Sequence, residues 1–253
     1  MSNRVRKAPG TKGSLKWVQV MVNAHPHLLS AAVGASIGIP AGEIEWLSPL
    51  SADAYAEYMD QGFLDRLGVT LDYYPLKAFW PASGPRWDAL GCAGDQVILI
   101  EAKAYLRELM STPCQAKPAS LERIRASLGL VKASFDVTPD VDWAGRYYQY
   151  ANRLAHLYLL RQLNHIPAEL VHLCFLNDRE QNGPTTAAQW HVAISKAHTA
   201  LGIIDHPLLR HVHHVFVDVA GLVEADQRRP APLVHGTDSS CQPPTSTAQS
   251  RFI

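Results

Sequence analysis

The sequence predicts a mixed α/β domain, a sheet with helices around it. Three observations point there. Residues 97–100, Val-Ile-Leu-Ile, are apolar on both faces of a strand, as a strand in the middle of a sheet should be. Residues 169–176 and 212–219 read as further strands. Helical periodicity fills the gaps and is clearest over residues 145–164. There Tyr147, Tyr150, Ala151, Leu154, Leu157 and Tyr158 share one side, and Gln149, Asn152, Arg153 and His156 the other.

In order, residues 1–13 are polar, with Gly and Pro, and read as a flexible arm. Ser14 is placed to cap a helix carrying Leu15, Val18 and Val22, which Pro26 ends or kinks. Residues 27–35 suggest a second short helix, and 43–47 an extended piece closed by Pro49. Residues 51–67 read as a helix stopped by Gly68, with Asp53, Glu57, Asp60, Leu64 and Leu67 on one side. Residues 69–80 are aromatic and β-like, and 81–85 turn. Residues 87–90 start a strand, 91–96 turn, and 97–103 return as an antiparallel hairpin. Residues 104–112 and 119–135 look helical, and 139–143 form a loop. Thr185 or Thr186 can cap a helix through Trp190 to Leu201. From Glu224 the chain turns to Pro, Ser, Thr and Gln, which predicts a disordered tail. The expected organisation is therefore an arm (1–13), one domain (14–223, core about 51–176) and a tail (224–253).

A chain of 253 residues with 47% hydrophobic content can build a real core. The formal charge is zero, so there is no overall basic surplus of the kind duplex binders often show, and a basic stripe would have to be local. The cysteines, Cys92, Cys114, Cys174 and Cys241, form no C-x-x-C pair, which argues against a thiolate metal site and for reduced thiols. The first residues lack the apolar core of a signal peptide, and no apolar run approaches the length that crosses a bilayer. A soluble, cytoplasmic protein is expected, with no membrane partner.

The chemistry concentrates in residues 85–109. Asp88 lies at the end of one short strand. Glu101 and Lys103 lie at the end of the next, with Ala102 between them, and a period of two puts both side chains on one face. Two carboxylates and a lysine at the edge of a buried sheet are costly unless they pair or bind a cation. Mg²⁺ takes one or two carboxylates together with waters and substrate phosphates. Asp88 and Glu101 supply such a pair, and the Ala102 carbonyl could add an oxygen. Lys103 could orient or deprotonate a water, or stabilise charge on a phosphate. That is equipment for metal-assisted phosphodiester hydrolysis. The bland reading of the same residues is a buried ion pair of Glu101 with Lys103, and Asp88 in a turn.

The pattern Asp88, hairpin, then Glu101-Ala102-Lys103 after residues 97–100 resembles the signature of the PD-(D/E)XK nuclease superfamily. The resemblance implies the restriction-endonuclease-like fold, a mixed central sheet flanked by helices. It implies a Mg²⁺- or Mn²⁺-dependent nuclease in which Asp88 and Glu101 bind the metal and Lys103 is catalytic. It further implies an acid from the helix before the first strand, with Glu57 the candidate and Asp60 second. Some exonuclease-like members carry Gln and Tyr on the helix after the motif strand, and Gln149 with Tyr150 is loosely similar, at a different spacing. Trp87, rather than the family's proline, precedes Asp88; Pro85 lies further back. Nucleic acid, DNA foremost, is the implied partner, with Gln149 and Arg153 lining its groove, and a homodimer is a further expectation. The alternative is a catalytically inactive binding or assembly protein on the same fold. A metal-dependent hydrolase of a small phosphorylated substrate is a third reading.

Other signals are weaker. Gly34-Ala35-Ser36-Ile37-Gly38 fits G-x-S-x-G, but the serine-hydrolase elbow needs a strand before the serine, and a helical stretch stands there. His211 and His213 share a face, without an evident third zinc ligand. Trp80, Trp87 and Trp143 suit core or loop anchors better than base-stacking platforms.

Overall fold

The computed structural model describes residues 3–222. The tail expected from Glu224 lies outside them. A two-residue strand, β1 (Arg4–Val5), leads to helices α1 (Gly13–Ala24) and α2 (Pro26–Ile37), then β2 (Glu45–Ser48) and β3 (Glu57–Tyr58). Helix α3 (Gln61–Leu67) and a single turn, α4 (Leu76–Phe79), precede the hairpin of β4 (Ala89–Ala93) and β5 (Gln96–Lys103). Helices α5 (Pro118–Ser134) and α6 (Tyr148–Tyr158), strand β6 (Ala168–Leu176), helix α7 (Ala187–Leu201) and strand β7 (Val212–Asp218) follow. Five strands form one sheet in the order β2-β4-β5-β6-β7; β2, β4 and β5 run antiparallel, and β5, β6 and β7 parallel.

Strand β5 is the middle strand, apolar on both faces, and helices cover both. Val97, Leu99 and Leu170 pack with Leu128 of α5 and Leu154 of α6. On the opposite face Ile98, Ile100, Val171 and Leu173 pack with Trp17 and Met21 of α1 and Leu29 and Val33 of α2. Helix α7 adds Trp190 and Ile194 against Cys174. The result is three layers, helices–sheet–helices. Each fully buried Leu, Ile or Val contributes about 1.5–3 kcal/mol. No helix of the described residues is long and apolar enough to cross a membrane.

Several expectations need correction. Residues 3–12 do not hang free: β1 pairs with β3, and the Lys7 N–H donates to the Ala54 carbonyl at 3.0 Å. Helix α1 starts at Gly13, so Ser14 lies inside it rather than capping it, and Pro26 opens α2 at its first turn. Residues 51–67 are not one helix. Ala54, Tyr55 and Asp60 take φ of 50°, 49° and 50°, which breaks the stretch into a turn, β3 and α3. Gly68, with φ of 68°, does end α3. Residues 69–80 hold α4 and no strand, so β2 is the sheet's first strand and the sheet reaches from Glu45 to Asp218, well beyond 51–176. Residues 104–112 form one short turn, Leu106–Leu109. The long helix changes to a π-type turn at Leu159–Leu163. Thr186 caps α7: its N–H donates to Gln189 Oε1 at 3.1 Å.

Candidate active site

The hairpin brings Asp88, Glu101 and Lys103 to one end of the sheet. Asp88 enters β4 with its N–H donating to the Ile100 carbonyl (3.2 Å), while its Oδ2 accepts the Ala102 N–H (2.8 Å). Glu101 and Lys103 continue the face set by Val97 and Leu99, and both are buried. Lys103 Nζ pairs with Glu101 Oε1 and donates to Gln149 Oε1 at 3.1 Å. Arg153 of α6 takes the other oxygen: its Nε and Nη2 lie 2.7 and 2.6 Å from Glu101 Oε2. Arg153 also donates to Asn152 Oδ1 (2.8 Å) and to the Arg86 carbonyl (2.7 Å), and its guanidinium sits 4.9 Å from the Trp87 ring centre. Glu101 is thus buried between two cations.

The two carboxylates differ sharply in their electrostatics. Burial, then the Glu101 charge and to a lesser extent that of Glu57, pushes the Asp88 carboxyl up to about 8, against the pull of Lys103 and the Ala102 N–H. Burial also works to raise Glu101, but Arg153 and then Lys103 outweigh it and hold Glu101 below the usual carboxylate range. Burial would lower Lys103, yet Glu101 and then Asp88 keep its ammonium charged. Burial and the neighbouring carboxylates thus favour the protonated form of Asp88, against the pull of Lys103.

Glu57 stands beside this cluster, though not on a helix. It is buried on β3, and its Oε2 pairs with Lys7 at 2.9 Å. Asp60 turns elsewhere, accepting the Ser83 and Gly84 N–H groups (3.0 and 2.8 Å). That holds the loop just before Asp88, and the Trp87 N–H bond to the Tyr58 carbonyl (3.0 Å) holds it again. Glu57, Asp88, Glu101, Lys103, Gln149 and Arg153 all line one cavity of about 770 Å³, walled by residues of the arm, of the 83–86 loop and of the segment after β5.

Arg153 does not lie on a solvated face. With Asn152 and His156 it points inward, and only Gln149 of that polar side is exposed in the cavity. Tyr150 stacks on His172 (4.5 Å between ring centres) instead of joining Gln149. Trp80, Trp87 and Trp143 are core residues. Ser36 lies on the last turn of α2, so the hydrolase elbow is absent. His211 and His213 do meet a third group, at Nδ1 and Nε2: Glu169, at 3.0 and 2.8 Å, which Arg161 and Gln96 also contact.

Among the described residues no group of three or more His, Cys, Asp and Glu stands together as a metal cage. Mg²⁺ does not need one. It accepts one or two carboxylates and completes its shell with water and phosphate oxygens. Asp88 and Glu101 are such hard-oxygen donors, and both line one open cavity.

Sequence reasoning missed Arg153 as the partner of Glu101, Lys7 as the partner of Glu57, and the cavity-lining Arg86 and Arg107. One signal was available: Gln149 and Arg153 are four apart on a helix and reach Lys103 and Glu101, two apart on a strand. No family model, curated protein or solved structure matches the chain, so the reading of the site rests on its own residues.

Proposed function

We propose that the chain is a metal-dependent nuclease of the PD-(D/E)XK type, with Asp88 and Glu101 holding Mg²⁺ or Mn²⁺ and Lys103 assisting the attacking water. The observation that carries this reading is the convergence of Asp88, Glu101 and Lys103 at one sheet end, on the floor of a cavity open to solvent. The metal would supply a Lewis acid for a phosphodiester oxygen and a more acidic water. The protein's own residues do the rest. Lys103, pinned by Glu101 and Gln149, keeps its proton, so it serves as a hydrogen-bond donor and fixed positive charge toward a phosphate rather than as a free base. Arg153 sets the rotamer of Glu101. The Ala102 N–H holds Oδ2 of Asp88, a cavity-lining residue, and leaves its second oxygen free of that bond. The test is cleavage of single- and double-stranded DNA and RNA with Mg²⁺ or Mn²⁺, comparing wild type with Lys103→Met and Asp88→Asn. Metal-dependent cleavage lost in both variants supports the reading; no cleavage of any substrate by wild type ends it.

A second reading has one observation in its favour. Both oxygens of Glu101 already have cationic partners, Lys103 and Arg153. A site neutralised from within needs no metal, and the chain would then be a binding or assembly protein on a nuclease-like scaffold. Calorimetry separates the two: Mn²⁺ binding that disappears in Asp88→Asn favours the nuclease, and heat-silent titrations of both proteins favour the scaffold.

A further inference from the structure

Five cationic side chains line the cavity, and three are already engaged: Lys7 with Glu57, and Lys103 and Arg153 with Glu101. The other two, Arg86 and Arg107, are exposed, and among the described residues neither guanidinium has an acid or hydrogen-bond partner. They belong to separate segments of the lining. Arg86 belongs to the segment leading into β4, two residues before Asp88. Arg107 belongs to the turn after β5, four residues past Lys103.

Their backbones are fixed although their side chains are free. Arg86 lies between buried Pro85 and Trp87, and its carbonyl accepts from Arg153 at 2.7 Å. The turn that carries Arg107 buries Leu109. Its Glu108 accepts the Ala104 N–H and, at 3.0 Å, the Ser14 hydroxyl of α1. A guanidinium on a fixed backbone, facing a cavity and unpaired, loses side-chain freedom when it meets an anion but need not order its loop or break an existing ion pair. Its planar fork suits a phosphate oxygen pair. In a chain of zero net charge, two unmatched arginines at one cavity are a local positive field rather than part of a general one.

We propose that Arg86 and Arg107 are positioning residues that grip backbone phosphates on either side of the one presented to Asp88, Glu101 and Lys103. The substrate they imply is a nucleic-acid strand running through the cavity, with phosphates on both flanks, and not a small phosphate ester. This rests on the nuclease reading for the central phosphate, while strand binding can be measured without cleavage.

The experiment measures binding of a fluorescein-labelled single-stranded DNA oligonucleotide in EDTA, by anisotropy over a range of salt concentrations, with an RNA strand of the same sequence and a DNA duplex as parallel arms. Arg86→Ala and Arg107→Ala are each expected to weaken strand binding about five- to tenfold. Each should also flatten the slope of log affinity against log salt by about 0.7, the loss of one phosphate contact on a single strand. Arg→Lys at either position should restore the slope but not the full affinity. Arg125→Ala, an exposed arginine of α5 outside this cavity, is the control and should change neither. Melting temperatures check that the variants fold.

Wild-type slopes in both alanine variants overturn the proposal, whatever the cleavage assays show. A wild type that binds no strand overturns it together with the nuclease reading. Arginine-dependent binding without metal-dependent cleavage upholds the grip and removes the nuclease. Metal-dependent cleavage with arginine-independent slopes does the reverse. Comparison of the DNA, RNA and duplex arms identifies which strand supplies the phosphates.

Discussion

Asp88 and Glu101 are neighbouring carboxylates with opposite effects on stability. Glu101 is ionised and doubly paired, and its removal leaves Lys103 and Arg153 as buried charges without a counter-ion. Glu101→Gln is therefore expected to destabilise by about 3–5 kcal/mol, as breaking a buried pair does; urea denaturation measures it, and a loss under 1 kcal/mol would mean that solvent reaches the pair. Asp88 is the converse. Its folded carboxyl titrates near 8, above its unfolded value, so the folded state holds an extra proton across that interval. Stability from this group is full below the unfolded value and is lost as pH rises through about 8. Buried histidines whose ordinary value is about 6.5 contribute little change above neutrality. Wild type should thus lose melting temperature between about pH 7 and pH 9, whereas Asp88→Asn should stay nearly flat over that range and be the more stable protein at its alkaline end. Equal slopes for the two proteins would place the titrating group elsewhere. A residue that costs stability and is still held in place by the Ala102 N–H fits a binding role better than a packing one.

At the scale of elements, β6, β7, α6 and α7 share an unusual feature. His172 of β6 is paired in register with His214 of β7, and their rings stack at 5.4 Å. Tyr150 of α6 stacks on the other side of His172 and bonds His198 of α7 at 2.6 Å. Neither ring nitrogen of His172 has a partner in the structure. Burial lowers His172 well below the ordinary histidine value and His214 to about 3. Folded rings stay neutral where unfolded ones protonate, so stability is full above about 6.5 and drains away as pH falls below it. His172→Phe keeps the stacking and removes two orphaned polar atoms. It is expected to raise stability by about 1–2 kcal/mol at pH 7, and by more at pH 5. Denaturant titrations at the two values check this; destabilisation at both would show that the nitrogens are solvated or otherwise used. The sheet's centre was legible in the sequence because residues 97–100 leave a strand no polar face. The inward turn of Asn152, Arg153 and His156 was not, since helical amphipathicity separates polar from apolar and cannot tell water from a buried carboxylate. The break at residues 54–60 was also hidden. It follows from pairing of β3 with β1, some fifty residues earlier in the chain, and local spacing alone favoured one helix.

At the scale of the whole molecule, the site is a charge balance assembled from distant segments. The arm supplies Lys7, β3 Glu57, the hairpin Asp88, Glu101 and Lys103, and α6 Arg153. The arm is held by the β1–β3 pairing, by the Arg4–Asp53 ion pair, and by Gln19, whose side chain accepts from the Gly10 N–H at 2.7 Å and donates to the Ala8 carbonyl at 3.2 Å. Lys7 is therefore a tethered cation beside the carboxylate cluster, where it would compete with a divalent ion for Glu57. Lys7→Met keeps much of the aliphatic stem and removes the competitor. If Glu57 belongs to the proposed metal site, the variant should bind Mn²⁺ about three- to tenfold more tightly than wild type, the size of a partly exposed ion pair. The advantage should shrink as salt rises. Glu57→Gln in the same titration should weaken Mn²⁺ binding, and combining it with Lys7→Met should abolish the gain, because the two substitutions act on one interaction. A gain from Lys7→Met that survives Glu57→Gln would instead assign Lys7 to the general field of the cavity, and would leave Asp88 and Glu101 as the only carboxylates of the proposed metal site.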